Sequence, residues 1–225
     1  RGLGDVYKRQ IFIICGIALV IDALAILLSP FPNRDLPKTN AAGQPEKMHF
    51  SLGAVAAILI GFTSSTTFMV WLNCNQELGA AYGVKNPASL QSLYAVGAGI
   101  AVLLTARLIK LGLKESTVLV VYPVISVIML LLCYFIQTPS ILYIGSFVIG
   151  YAAAGGVLQL ATSTTINFFP NHKGTATSLV MIASSIANYA VLSGAAGLTK
   201  LFGDDAPRMI ILLNVAITIC GIGLA

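Results

Sequence analysis

The sequence predicts an all-α polytopic membrane protein, in which one helix and a polar linker precede a six-helix bundle. Three observations support this fold class. Hydrophobic residues make up 57% of the chain and charged residues only 9%, whereas a soluble domain carries about 25% charged residues. The apolar residues are gathered into long runs, and most charges lie in the connections between them. The runs are of the length needed to cross a hydrocarbon core about 30 Å thick, which takes about 20 helical residues.

Six runs from Phe50 onwards contain no Asp, Glu, Lys or Arg and predict a transmembrane domain, 50–225, that is truncated at its end. A seventh run, 11–29, contains Asp22 and predicts one earlier membrane helix. A secretory signal peptide is the rival interpretation of that region, but the run continues beyond its charge, which favours a membrane helix. Residues 1–10 (RGLGDVYKRQ) resemble sequencing-adapter read-through and are interpreted as a non-native segment. The six runs are 50–72, 88–106, 117–136, 141–169, 174–199 and 209–225.

The longest polar connection, 30–49, is rich in proline, asparagine and charged residues and predicts an exposed linker. If each run crosses the membrane in turn, seven basic residues share the side of the linker and three lie on the other side. Because Lys and Arg accumulate on the cytoplasmic side of membrane proteins, the linker is predicted to be cytoplasmic. The basic residues on the linker side are Arg34, Lys38, Lys47, Arg107, Lys110, Lys114 and Lys173, and those opposite are Lys85, Lys200 and Arg208.

Two of the cytoplasmic connections carry recognisable motifs. The turn 169–176 (FPNHKGTA) is similar to the pattern P-x-x-(R/K)-G-x-A, with Lys173 and Gly174 at its basic and glycine positions. The connection 106–114 (ARLIKLGLK) is similar to the pattern G-x-L-x-D-R-x-G-R-R, except that Ala106 replaces the first glycine, Lys110 stands where the acid belongs and one residue is missing. By these motifs and its helix order, the chain resembles the second half of a major facilitator superfamily transporter. The resemblance implies loop or gating roles for Arg107, Lys110, Lys173 and Gly174.

This resemblance implies a secondary active transporter that moves a small solute by alternating access. Run 11–29 would be helix six, and a missing N-terminal half of the same chain would supply the other wall of the site. The expected partners are the lipid bilayer, a small-molecule substrate and a co-transported proton or sodium ion, and the expected location is the bacterial inner membrane. The alternative is a non-transporting membrane receptor or the permease subunit of an ATP-driven transporter. The linker has no apolar periodicity and does not offer the coupling helix that a permease subunit needs.

The sequence contains no catalytic or metal-ligating pattern, so no enzyme activity, cofactor or metal is expected. The four cysteines lie within or at the edge of apolar runs without ligand spacing, and we interpret them as small core hydrophobes. The basic residues are scattered through the connections rather than clustered, which argues against a nucleic-acid partner. Asp22 is expected to make a structural bond or to lie exposed near the membrane edge.

Neutral polar side chains inside the apolar runs are the candidate substrate contacts, because such groups are costly in hydrocarbon unless they meet a partner or a water-filled cavity. Asn188 and Ser184 lie one turn apart and are predicted to face the central cavity, with Asn73 on the opposing helix. For each Asn or Gln an interhelical hydrogen bond is an equally weighted alternative, and a lone Ser or Thr more often bonds its own helix. Since these groups are uncharged, an uncharged or zwitterionic solute is favoured over an organic anion. The candidates are Thr66, Asn73, Gln91, Gln159, Ser184 and Asn188.

Small residues recur in several runs and predict positions where membrane helices approach closely. They are Gly97, Gly99, Gly150, Gly155, Gly156, Gly174, Ala183, Ala187, Ala190, Gly194, Ala195, Ala196 and Gly197.

Overall fold

The chain forms two units, Arg1–Glu46 and Lys47–Ala225. The computed structural model describes residues 3–28 of the first unit and 48–225 of the second. In the first unit α1 runs from Leu3 to Leu28, and those of its side chains that are described, Asp22 included, are exposed. The predicted linker, 30–49, lies outside the described residues except for its last two positions.

The second unit consists of seven α-helices joined by short turns, and residues 48–225 contain no β-strand. A π-helical segment, Gly150–Ala154, joins α5 to α6, so that these two helices form one membrane crossing. The helices are α2 Leu52–Ala81, α3 Ala88–Lys110, α4 Glu115–Phe135, α5 Pro139–Ile149, α6 Val157–Phe168, α7 Lys173–Phe202 and α8 Ala206–Leu224.

Five helical stretches of the described chain are long and apolar enough to cross a membrane. The last of them, Lys173–Leu224, has 52 residues, which at the helical rise would extend for about 78 Å, far beyond a hydrocarbon core of about 30 Å. The 3₁₀ turn Gly203–Asp205 interrupts this stretch, and α7 packs against α8, so it makes two crossings. The second unit therefore crosses six times, which confirms the predicted six-helix bundle.

The helix bounds follow local sequence signals. The Ser51 side chain accepts a hydrogen bond from the backbone N–H of Ala54 at 3.2 Å, the usual role of a serine at a helix start. α5 begins at Pro139, because the fixed φ of proline suits a first helical turn. α2 continues past Leu72, where its apolar run was expected to end, because no left-handed residue occurs before Gly83, whose φ is 75°.

α2 lies at the centre of the second unit and packs against α6, α7 and α8. Val70 of α2 belongs to a buried cluster with Val191 of α7 and Ile210 of α8. A side-chain atom of Val180 approaches Gly61 nearer the start of both helices. Because these two contacts advance together along both helices, α7 runs parallel to α2.

A close backbone approach joins α3 to the crossing formed by α5 and α6. A Cβ atom added to Gly97 would overlap the carbonyl of Phe147, and one added to Gly150 would overlap the carbonyl of Tyr94. The prediction of close packing at small residues is therefore confirmed at these two glycines, where only hydrogen leaves room for a neighbouring backbone. It is wrong, within the described part of the chain, for five others, because no atom lies within 4 Å of the place that their Cβ would take. Those five are Gly99, Gly156, Gly174, Gly194 and Gly197.

Candidate solute-binding surface and polar interior

The two candidates on α2 both bond the backbone of their own helix. Thr66 is fully buried, and its hydroxyl donates to the carbonyl of Phe62 at 3.0 Å. Asn73 is exposed, and its Nδ2 donates to the carbonyl of Met69 at 2.8 Å. Helical spacing places both residues on one face of α2, but Thr66 lies in the protein interior and Asn73 lies at the surface.

Gln91 of α3 makes an interhelical hydrogen bond. Its Nε2 donates to the carbonyl of Leu72 on α2 at 3.2 Å, so the structure realises the alternative that was weighed against a solute contact. Gln159 of α6 is exposed. Neither residue is brought into contact with the other candidates by a described hydrogen bond.

Asn188 of α7 is the candidate whose side chain is left unmatched. Its Oδ1 is buried and accepts no hydrogen bond from any described residue. Ser184, one turn earlier, is 9% exposed. A buried carbonyl oxygen without a donor costs about 1–3 kcal/mol, so among the predicted solute contacts this amide would gain most from an added partner.

The basic residues predicted to act in loops or gating lie at helix ends. Arg107 and Lys110 are exposed in the last turn of α3, and Lys173 and Gly174 are exposed at the start of α7. The ion pair that the described chain contains lies elsewhere, between Arg208 and Asp205, at 3.9 Å.

A cavity of about 440 Å³ opens at one end of the bundle. It is lined by Gly53 and Glu115 at the starts of α2 and α4, and by Asn167 and Leu224 at the ends of α6 and α8. These four helix ends lie together, as expected if successive crossings alternate in direction. The basic turns between α3 and α4 and between α6 and α7 adjoin this end, so the cavity lies on the side predicted to be cytoplasmic.

At the opposite end of the bundle, Tyr82 follows the last residue of α2 and contacts α4. Its hydroxyl donates to the carbonyl of Cys133 on α4 at 3.1 Å. Burial raises the pKa of the Tyr82 phenol above its usual value of 10.0, and the nearby Arg208 guanidinium opposes that shift. Arg208 also lies over the ring of Tyr134, 5.3 Å from its centroid. Together these contacts join the outer ends of α2, α4 and α8.

The interior of the bundle contains a row of polar contacts between α2 and α8 that was not predicted from the sequence. Thr67, Asn214 and Thr218 form it, and we call it the polar seam. The hydroxyls of Thr67 and Thr218 lie 2.8 Å apart. Asn214, one turn before Thr218, donates from Nδ2 to the carbonyl of Thr67 at 3.0 Å. Thr67 and Thr218 also line a narrow cavity with Ser126 of α4, which leaves about 10 Å³ for the centre of a water molecule. The available signal was an asparagine and a threonine four residues apart in the last apolar run.

A second polar group surrounds the interruption between α5 and α6. The hydroxyls of Thr105 and Tyr122 lie 2.6 Å apart, and that of Tyr151 lies 3.3 Å from Tyr122. Thr105 also donates to the carbonyl of Gly155 at 3.5 Å. Gly156 has a φ of 104°, a conformation that favours glycine and ends the π-helical segment. The Gly155–Gly156 pair was the sequence signal for this break, which divides a run that was expected to be continuous. π-helical segments often occur at functional sites.

The described residues contain no group of three or more His, Cys, Asp and Glu side chains that could hold a metal ion. The polar groups buried in the second unit are mainly hydroxyls and carboxamides, with the indole N–H of Trp71. This chemistry suits hydrogen bonding to a solute or to water.

Comparison with known proteins identifies the family. Residues 3–188 match the model of the Major Facilitator Superfamily. The chain is 30% identical over 195 residues to the inner membrane transport protein YdiN of Escherichia coli, an alignment covering 84% of this chain and 46% of that protein. It is 31% identical over 187 residues to the inner membrane transport protein YdiM of the same organism, covering 80% and 46%.

A third relative, the uncharacterized MFS-type transporter YfkL of Bacillus subtilis, is 30% identical over 217 residues, covering 90% of this chain and 54% of that protein. The chain thus spans about half the length of the curated relatives it matches. No solved structure matches it at a significant level. The family match and the apolar helices also confirm a multi-pass integral protein of the bacterial inner membrane. The chain belongs to the major facilitator superfamily of membrane transporters.

Proposed function

We propose that the full-length protein is a secondary active transporter, which moves a small uncharged or zwitterionic solute by alternating access and couples it to a proton or sodium gradient. The observation that carries this proposal is the family match over residues 3–188. The chain spans about half the length of its relatives, so we further propose that a second bundle forms the other wall of the solute site.

Asn188 is the best-supported solute contact in this half. Its buried Oδ1 has no donor, and a hydroxyl or amine of a solute would supply one. Gln91 and Thr66 are weaker candidates, because each already donates to a backbone carbonyl. Asn73 and Gln159 are exposed and accessible to a solute that enters between two bundles.

The proposed solute class rests on the polar groups inside the bundle. The buried polar residues of the described chain are Ser, Thr and Asn, with no Lys or Arg among them. A buried carboxylate requires an opposite charge, and the buried residues of the described chain include no Lys or Arg that could supply it. An uncharged solute requires only the hydrogen bonds that these groups provide, and a zwitterion carries its own opposite charge.

The exposed residues Arg107, Lys110, Lys173 and Gly174 are proposed to act in the cytoplasmic loops. They lie beside the end of the bundle where the 440 Å³ cavity opens. A role in gating would require these residues to form and break contacts with the rest of the protein when the bundle changes orientation.

The second candidate function is a membrane receptor or a permease subunit of an ATP-driven transporter. These alternatives predict different behaviour of the purified protein. A receptor binds solute without accumulating it, and a permease subunit accumulates it only with an ATPase and ATP.

Uptake by the purified full-length protein tests the proposal. A panel of sugars, polyols, amino acids and carboxylates is first screened for solutes that raise its Tm, since a ligand that binds only the folded state stabilises it. Each stabilising solute is then offered, radiolabelled, to proteoliposomes under an imposed proton or sodium gradient. Accumulation above the external concentration, which a protonophore or replacement of sodium abolishes, is the expected result.

Protein-free liposomes provide the control for leakage. Uptake that only reaches the external concentration, whatever gradient is imposed, would contradict ion coupling. A solute that raises Tm but is never taken up would favour the receptor, and a requirement for added ATPase would favour the permease subunit.

A further inference from the structure

Three buried polar residues with unmatched atoms line one small cavity between α2, α4 and α8. Trp71 and Asn75 lie four residues apart on one face of α2, and Asn214 lies opposite on α8. Their exposures are 2%, 1% and 1%. The Trp71 Nε1, both amide atoms of Asn75 and the Oδ1 of Asn214 have no hydrogen-bond partner in the described protein. The remaining wall is largely apolar and includes Leu130 and Pro207.

The arrangement of Asn214 is set by a bond outside this cavity. Its Nδ2 donates to the carbonyl of Thr67, which precedes Trp71 by one helical turn. The Nδ2 of Asn214 is therefore used in a bond to α2, and its Oδ1 is left unmatched. Thr67, Trp71 and Asn75 are spaced four residues apart, so they lie on one face of α2. This cavity lies within the second unit and is formed by other residues than the proposed solute contacts.

The unmatched atoms require a ligand that both donates and accepts hydrogen bonds. The indole N–H of Trp71 is only a donor, the Oδ1 of Asn214 is only an acceptor, and the Asn75 amide offers both in either orientation. A bare cation would satisfy the oxygens but not the indole N–H. An anion would satisfy the donors but not the oxygens.

The size of the cavity restricts the ligand further. It leaves about 10 Å³ of space for water, which is close to the minimum that a cavity needs to hold one water molecule. Buried waters typically make about three hydrogen bonds to otherwise unmatched polar groups, and three residues here supply such groups.

We propose that this cavity binds one structural water molecule, which accepts a hydrogen bond from Trp71 and bridges Asn75 of α2 to Asn214 of α8. The water joins the two helices beyond the Thr67–Thr218 contact and extends their polar seam. Asn75 and Asn214 are in this arrangement positioning residues for the packing of α2 on α8.

Trp71 reports on this site directly, because it is the single tryptophan of the 225 residues. The experiment uses the full-length protein with any tryptophan outside these residues replaced by phenylalanine. Asn75→Leu and Asn214→Leu are each expected to shift the emission of Trp71 to shorter wavelength, because the water loses a partner and leaves the indole N–H unmatched. The Tm of Asn75→Leu should fall for the same reason, whereas that of Asn214→Leu should fall also because its hydrogen bond to the Thr67 carbonyl is lost. Asn167→Leu, an exposed amide on α6, is the control and should leave the emission unchanged. Unchanged emission in both test variants, together with a higher Tm for Asn75→Leu, would show a dry cavity and overturn the proposal.

A density map of the wild-type protein keeps the test decisive if a variant does not fold. The map is obtained at a resolution that resolves water, once in sodium buffer and once with choline replacing sodium. A feature within about 3.2 Å of Trp71 Nε1 and of one asparagine amide is expected in both buffers. A feature that disappears without sodium would assign a cation instead, and the absence of any feature would mean that the cavity is dry, so either result overturns the proposal.

Discussion

The hydroxyls of Thr67 and Thr218 lie 2.8 Å apart between α2 and α8. Each residue is 3% exposed, and each hydroxyl also lies within hydrogen-bond distance of a carbonyl of its own helix, those of Thr63 and Asn214. Each hydroxyl has one proton, so one of the two donates to the other hydroxyl and the other donates to its helix carbonyl. This contact gives α8 a defined register on the central helix, which apolar side chains alone would specify less strongly. Its contribution is measurable because one hydroxyl can be removed without a change of shape.

Thr218→Val should lower the stability of the protein by about 0.6 kcal/mol and by no more than about 2 kcal/mol, the range found for interhelical hydrogen bonds in membranes. The measurement is thermal or denaturant unfolding in detergent. Thr199→Val is the matched control, because Thr199 bonds only the carbonyl of Ala195 in its own helix. Equal stabilities of the two variants would mean that the Thr67–Thr218 contact contributes nothing.

Gly97→Ala and Gly150→Ala should each destabilise the protein by about 1–3 kcal/mol, the usual effect of overpacking a close contact. Each added methyl group meets a backbone carbonyl, which cannot turn away as a side chain can. Gly99→Ala, in the same helix, meets no atom within 4 Å and should leave Tm unchanged or raise it. A similar fall in Tm for all three variants would show that loss of glycine itself, and not the helix contact, is responsible.

Asn188→Ala in the full-length transporter should raise the apparent KM for the solute with little change in Tm. The variant leaves a buried donor of the solute unmatched, which costs about 1–3 kcal/mol, so the expected rise is roughly 5- to 150-fold. The measurement is initial uptake at graded solute concentrations, with expression and Tm determined in parallel.

Gln91→Leu provides the contrast for Asn188→Ala. It removes the hydrogen bond from α3 to the Leu72 carbonyl on α2 and should lower Tm. A fall in Tm with unchanged KM for Asn188→Ala would remove that residue from the solute site and make it a packing residue.

The turn between α3 and α4 should be accessible from the cytoplasm and the turn between α7 and α8 from outside, as the distribution of basic residues predicts. Native cysteines are replaced by alanine, and single cysteines are introduced by Leu111→Cys and Asp204→Cys, both at exposed positions. An impermeant maleimide added to intact cells should label only the Asp204→Cys variant. Labelling of the Leu111→Cys variant alone would reverse the topology.

The six membrane crossings of the second unit and the family were predictable from the sequence. A long apolar run indicates a helix surrounded by lipid, which predicts the crossings. The FPNHKGTA turn from Phe169 to Ala176 is a contiguous motif, which predicts the family. Both are local properties, so they do not depend on which helices become neighbours. Helix ends were less certain, since α2 continues beyond Leu72 through polar residues that do not stop a helix.

The partner of each polar side chain was decided only by the tertiary structure. Periodicity places Thr66 and Asn73 on one face of α2, but it does not state that the first is fully buried and the second exposed. Asn75 and Asn214 lie 139 positions apart, and only the antiparallel packing of α8 on α2 brings them to one cavity. A sequence determines the direction of a side chain relative to its own helix axis, whereas its partner depends on the neighbouring helix, which long-range packing selects.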